Sequence, residues 1–194
     1  MLFRSSEAYR SALVTGASSG IGRAVAKRLL DAGLEVYGTT RSPERASGPD
    51  GIRWLRLEGA TTEGLQTFID ENRDLLNHLD ILMNNAGSSG FGNLAANPAD
   101  LLEEQVRLLL QTPIQLSRAV LPGMRTRSKG CILNVSSLAA IFPLPFMAAY
   151  SAGKAGLSAF TRSLVLSEVA DGVSFIDFQA GDFRTAFKIG RAHV

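Results

Sequence analysis

The chain has 194 residues and a mass of 20.7 kDa, enough for one domain or a domain and a fragment. Hydrophobic residues make up 45% and charged residues 20%, which supports a packed core, and a net charge of +2 is too even to argue for a nucleic-acid partner. The single cysteine, Cys131, excludes an internal disulfide framework and suits a reducing cytosol; with only His78 and His193 beside it, the usual kinds of zinc site are excluded too.

Ala12-Leu13-Val14 predicts a first strand. A helix from Ile21 to Ala32 follows, with Ile21, Ala24, Val25 and Leu29 on one face and Gly33 as its stop. Val36 to Thr40 and Ile52 to Leu57 predict strands two and three, Glu63 to Asn77 a helix, and Ile81-Leu82-Met83 strand four. Asn97 caps a long helix with Pro98 at its first position, and Pro113 should bend it. Cys131 to Val135 predicts strand five, Ala149 to Ala170 a helix with Gly172 as its stop, and Val173 to Phe178 strand six. This alternation predicts an α/β domain with parallel pairing, right-handed crossovers and a sheet covered on both faces. The longest apolar stretch, Leu138 to Tyr150, contains Pro143 and Pro145 and falls short of the ~18 residues of a membrane span. The N-terminal MLFRSSEAYRS has no apolar core of a signal peptide, so a soluble cytoplasmic protein is expected.

Thr15-Gly16-Ala17-Ser18-Ser19-Gly20-Ile21-Gly22 joins strand one to helix one. A backbone that turns sharply, approaches a ligand and lets a helix pack on a sheet calls for glycine at several positions. The helix start offers free N–H groups and a positive dipole end to a pyrophosphate. An ordinary Gly-Ser turn has the same composition; the location in the first strand–helix unit points to dinucleotide binding. At the end of strand two, Gly38-Thr39-Thr40-Arg41-Ser42 has no acid for a ribose 2′-hydroxyl. It has Arg41, either a partner for a 2′-phosphate or a solvated surface arginine. Tyr150 and Lys154, four apart on a predicted helix, share a face as a reactive pair or a solvent-facing one.

The G-x-x-x-G-x-G spacing of TGASSGIG, Asn84-Asn85-Ala86-Gly87 after strand four, and Ser137 thirteen residues before the Y-x-x-x-K of Tyr150 and Lys154 resemble the short-chain dehydrogenase/reductase family. The resemblance covers essentially all of residues 10 to 187. It implies a Rossmann-type doubly wound parallel sheet in three layers, as a single domain lacking its last strand and helices. It implies an oxidoreductase that moves a hydride between NADP(H), favoured over NAD(H), and a carbonyl or alcohol. Gly16, Ser18, Ser19, Gly20, Ile21, Gly22, Arg41, Glu58, Asn85, Ala86, Gly87, Tyr150, Lys154 and Thr185 would bind the cofactor. Ser137 would hydrogen-bond the substrate oxygen, and Tyr150 would be general acid in reduction and general base in oxidation. Lys154 would also hold the nicotinamide ribose. One cation about 4 Å away at an effective dielectric near 20 supplies ~4 kcal/mol, what lowering a phenol's pKa by about three units requires.

Three features depart from the family. Leu109 stands where many relatives carry an asparagine, thirteen residues before Pro122. Either the proton relay is rerouted or dispensable, or the protein binds cofactor without turnover. The usual Pro-Gly after strand six reads Ala180-Gly181. Relatives continue past the end of this chain, and its last six residues, IGRAHV, are what the DNA string ATCGGAAGAGCACACGTC encodes, which resembles a sequencing adapter. The expected division is a domain over 1–187 and a non-native tail over 188–194. Phe91, Ile141, Phe142, Leu144, Phe146 and Met147 either line a pocket for an apolar substrate or pack under a missing lid. Leu101, Leu102, Val106 and Leu110 with Leu157, Phe160 and Leu164 are core or, as the family implies, the interface of a homodimer or homotetramer.

Overall fold

A computed structural model of the chain describes residues 9–46, 48–167 and 172–181. The strands are β1 (Ser11–Val14), β2 (Glu35–Thr40), β3 (Arg53–Arg56), β4 (Ile81–Asn84), β5 (Gly130–Ser137) and β6 (Val173–Ala180). They form one sheet of order β3-β2-β1-β4-β5-β6, parallel throughout. The helices are α1 (Gly20–Asp31), α2 (Thr62–Glu71), α3 (Arg73–His78), α4 (Ala99–Val106), α5 (Thr112–Thr126) and α6 (Ala148–Ser167).

Alternation along the strands sends side chains to two separate cores. Leu13, Leu82 and Ile132 pack with Leu65 and Phe68 of α2, Leu76 of α3 and Leu116, Val120 and Met124 of α5. Val14, Val36, Met83 and Val135 pack on the opposite face with Ala26, Val25 and Leu29 of α1. The first face carries most of the fully buried side chains, with Tyr37, Leu55 and Phe175 partly buried at its edges. The second is covered less than expected among the described residues, and Ile176 and Phe178 of β6 stay exposed.

Several boundaries differ from expectation, each for a local reason. The helix expected over Glu63–Asn77 breaks at Asn72, which sits at φ −111°, ψ 21° and donates its side-chain amide to the Phe68 carbonyl at 2.9 Å. The bend expected at Pro113 is a π-turn over Arg107–Gln111, in which Thr112 N–H reaches back to the Arg107 carbonyl. Proline lacks the N–H that would continue an α-helical ladder, and the wider turn absorbs the gap. Pro98 is the N-cap of α4 and not its first helical residue, and α6 begins one residue early at Ala148. Gly33 ends α1 at φ +85° as expected. Gly172 has φ +72°, while residues 168–171 lie outside the described residues. Strands β5 and β6 each run two residues past their expected ends, so Ser137 is the last residue of β5, paired with Ala180.

Candidate active site

The strand order reverses between β1 and β4, and the chain leaves these neighbours in opposite directions at their carboxyl ends. A crevice opens at such a switch point, which is where open α/β sheets bind ligands. The glycine loop follows β1 on one side of it and Asn85-Ala86-Gly87 follow β4 on the other.

Thr15 joins the two. Its hydroxyl accepts from the Asn85 and Ala86 N–H groups, each at 2.9 Å, and its carbonyl accepts from the Asn85 side-chain amide at 2.8 Å. That amide also reaches the Gly16 carbonyl at 3.3 Å. The glycines are therefore demanded by the protein's own packing. A Cβ at Gly16, which has φ +67°, would sit 3.0 Å from Ala86 Cα, and one at Gly22 would sit 2.5 Å from the Gly16 carbonyl oxygen. Gly20 turns the chain into α1 at φ +54°. Ser19 is the N-cap of α1, yet its side chain makes no capping hydrogen bond, and the first turn holds no acidic residue. This helix start carries the positive end of the helix dipole with no side-chain cap and no acid to neutralise it, which suits an anion.

Arg41 leaves the carboxyl end of β2 and is exposed. Glu58 lies two residues past β3, half-buried, and its carbonyl takes the Thr61 N–H at 3.4 Å at the start of α2. Ser18, Ser19 and Ile21 lie in the loop and the first turn of α1. Thr185 lies outside the described residues.

The catalytic candidates come from β5 and α6. Ser137 Oγ accepts the Ala139 N–H at 3.1 Å, which fixes the turn leaving the strand. Tyr150 is half-buried in the first turn of α6, and Lys154 one turn later is 4% exposed. Lys154 Nζ donates to the Val135 carbonyl at 2.6 Å and lies 6.0 Å from the centre of the Tyr150 ring. The helix thus presents an ammonium beneath a phenol, the pair expected from the four-residue spacing. Burial lowers the Lys154 pKa to about 8, against the raising influence of the Asp177 carboxylate.

Leu109 is fully buried between two glycine backbones. A Cβ at Gly87 would lie 3.2 Å from Leu109 Cδ2 and 4.0 Å from Lys154 Nζ, and one at Gly153 would lie 3.0 Å from Leu109 Cβ. An apolar side chain therefore fills the space beside the lysine.

The apolar residues divide. Met147 is buried and belongs to the core, while Ile141, Phe142, Leu144 and Phe146 are exposed. Phe146 adopts φ +62° and packs on Phe91 with ring centres 5.5 Å apart. A cleft of about 250 Å³ lies beside this pair, lined by Gly90, Leu94, Leu102, Gln105, Phe146 and Ala149, the last adjoining Tyr150. Leu157 is core and Leu110 packs on Gly156 of α6, so both serve the chain's own interior. Two residues near the site have little signature in the sequence. Thr15 carries no motif chemistry by itself. Asp177 left one signal, a lone acid on the inward phase of an apolar strand.

The fold agrees with comparisons to known proteins. A short chain dehydrogenase family model matches residues 10–192, and the chain belongs to this family. It is 30% identical over 179 residues to a 3-ketodihydrosphingosine reductase of Bacteroides thetaiotaomicron, covering 92% of this chain and 66% of that one. A short-chain dehydrogenase crystal structure from Streptomyces avermitilis superposes with a TM-score of 0.83 at 33% identity, over 96% of this chain and 71% of that one. A metagenomic short-chain oxidoreductase solved with NADP gives a TM-score of 0.79 at 30% identity, over 90% and 83% of the two chains. The chain spans between 53% and 66% of the length of the first curated relatives it matches. No helix among the described residues is long and apolar enough to cross a membrane.

Proposed function

We propose that the chain is the cofactor-binding and catalytic part of an NADP(H)-dependent oxidoreductase that interconverts a carbonyl and an alcohol on a small apolar substrate. The observation that carries this reading is the buried Lys154 beneath Tyr150 at the carboxyl edge of the sheet, beside Ser137 and across the crevice from the glycine loop. The bare N-terminus of α1 fits a pyrophosphate, with Gly16, Ser18, Ser19, Gly20, Ile21 and Gly22 as its cradle. Arg41, with no acid beside it, supports a 2′-phosphate and hence NADP(H) over NAD(H), and a relative was solved with NADP. Glu58, Asn85, Ala86 and Gly87 flank the adenosine side in this reading, and Thr185 would meet the nicotinamide.

The cofactor, when bound, supplies or accepts the hydride. Ser137 holds the substrate oxygen by a hydrogen bond. Tyr150 gives that oxygen its phenolic proton during reduction, and the Lys154 ammonium stabilises the phenolate left behind. In oxidation Tyr150 takes the proton back. The apolar cleft beside Ala149 and the Phe91–Phe146 pair support an apolar substrate. A cytoplasmic location and a homodimer or homotetramer complete the reading, with the exposed Leu101 on α4 and Val165 on α6 as apolar surface available to a second copy.

NADPH consumption with a panel of apolar ketones and aldehydes tests this. At least one substrate turns over, and Tyr150→Phe loses about 10²–10⁴-fold in kcat with NADPH affinity retained. Full turnover by Tyr150→Phe would contradict the mechanism. A second reading, a cofactor sensor without catalysis, draws support from Leu109, which places an apolar side chain beside Lys154. It predicts NADPH binding with no turnover in the wild type and a gain of activity in Leu109→Asn.

A further inference from the structure

Asp177 stands in the middle of β6, opposite Asn134 of β5 and beneath α6. Its side chain is 14% exposed and takes several donors. Ser136 Oγ donates to Oδ1, Ser158 Oγ donates to Oδ2 at 2.5 Å, and Gln179 Nε2 donates to Oδ2 at 3.2 Å. Arg162 donates to Ser158 Oγ at 2.9 Å and holds its Nε 3.9 Å from Oδ2.

The two serines have informative neighbours. Ser136 immediately precedes Ser137 on β5. Ser158 lies one turn beyond Lys154 on α6, which itself lies one turn beyond Tyr150. Ser136 and Ser158 are each only 1% exposed, so neither finds an equivalent partner in water if the carboxylate is removed. One carboxylate therefore ties together the strand that carries Ser137 and the helix that carries Tyr150 and Lys154.

We propose that Asp177 is a positioning residue: it fixes β5 against α6 so that Ser137, Tyr150 and Lys154 keep their mutual geometry, and its negative charge keeps the buried Lys154 cationic. The inference rests on the catalytic reading given above for its consequence, though its first test does not require turnover.

Tyr150 lies beside Lys154 on its own helix, with Lys154 Nζ held on the carbonyl of Val135. Asp177 stands opposite Asn134, the residue before Val135, and meets α6 at Ser158, one turn beyond Lys154, while Arg162 lies against Asp177. Burial opposes the lysine's charge and the carboxylate supports it. Removing the carboxylate charge should make the ammonium lose its proton at lower pH.

Asp177→Asn keeps the side-chain shape and an oxygen acceptor while losing the charge. Urea melts between pH 6 and 9 read the lysine directly, because stability begins to rise where Lys154 deprotonates in the folded state. In Asp177→Asn that onset moves to lower pH by roughly half a unit to one unit. The alkaline limb of kcat moves the same way, with KM for NADPH changed much less than kcat. An unmoved onset and an unmoved limb, with only a lower midpoint, would overturn the proposal and leave Asp177 a structural residue. A moved onset in a protein that reduces no carbonyl would uphold the electrostatic role of Asp177 and count against the oxidoreductase reading alone. Should Asp177→Asn fail to fold, Ser158→Ala removes one tie and leaves the carboxylate. It should lower kcat about tenfold with the onset in place, and unchanged kcat would overturn the positioning role.

Discussion

Two backbone N–H groups, those of Asn85 and Ala86, end on the Thr15 hydroxyl, and Thr15 is only 2% exposed. Thr15→Val keeps the shape and leaves both donors without their acceptor, which costs roughly 2–6 kcal/mol at about 1–3 kcal/mol per orphaned group. A urea melt measures the loss, and a loss below about 1 kcal/mol would show that the hydroxyl does not join the two loops. Lys154 gives a pH signature at the same scale. Its pKa falls from 10.5 to about 8 on folding because it is buried, so above pH 8 the unfolded chain binds more protons. Stability should then rise from pH 8 to 9 by about 1 kcal/mol from this group. From a little above pH 8 Cys131 increasingly opposes the trend, because burial raises its thiol from 9.0 to about 11 and the folded chain then holds the extra proton. Lys154→Met should show no rise from pH 8 to 9, and the same rise in that variant would assign the effect elsewhere. Ser137, Tyr150 and Lys154 were legible in the sequence because fixed spacing on one strand end and one helix face carries them. Thr15 and Asp177 were not, since their partners lie on other strands and helices, up to 71 residues away for Thr15.

At the scale of elements, α5 and α3 cross with almost no room. A Cβ on Gly123 would collide with the Asn77 carbonyl oxygen at the end of α3. Arg127, which caps α5, donates to the Asn77 and Leu79 carbonyls, the latter at 2.8 Å, and holds the same junction. Gly123→Ala should cost about 3 kcal/mol, because backbone and not a flexible side chain blocks the methyl group. Thermal melts check this; a variant as stable as the wild type would mean that the two helices can separate freely. The apolar periods mark the six strands of the described residues and the long helices. They do not mark the break at Asn72, where a side-chain amide competes for the Phe68 carbonyl. Pro113 marks a bend without giving its form, since the π-turn depends on how Leu109 and Leu110 pack against Gly153 and Gly156 of α6. The extended ends of β5 and β6 come from their mutual pairing, which neither strand's own residues reveal.

Over the whole molecule, the strand order decides where chemistry can occur. The reversal between β1 and β4 brings the electropositive start of α1, the Asn85-Ala86-Gly87 turn and the end of β5 to one edge. The alternation of strands and helices predicts parallel pairing, and the doubly wound order that produces this convergence is what the family resemblance implies. A thermal melt of the 194-residue chain, alone and with NADPH or NADH at equal concentration, tests the account most directly. Ligand at 100 times its dissociation constant adds ~2.7 kcal/mol, about 5–10 °C for a domain of this size. The account predicts a cooperative melt raised by NADPH and raised less by NADH, with Arg41→Ala removing the difference. A melt unmoved by either nucleotide would contradict a cofactor site at the switch point, and with it the proposed chemistry.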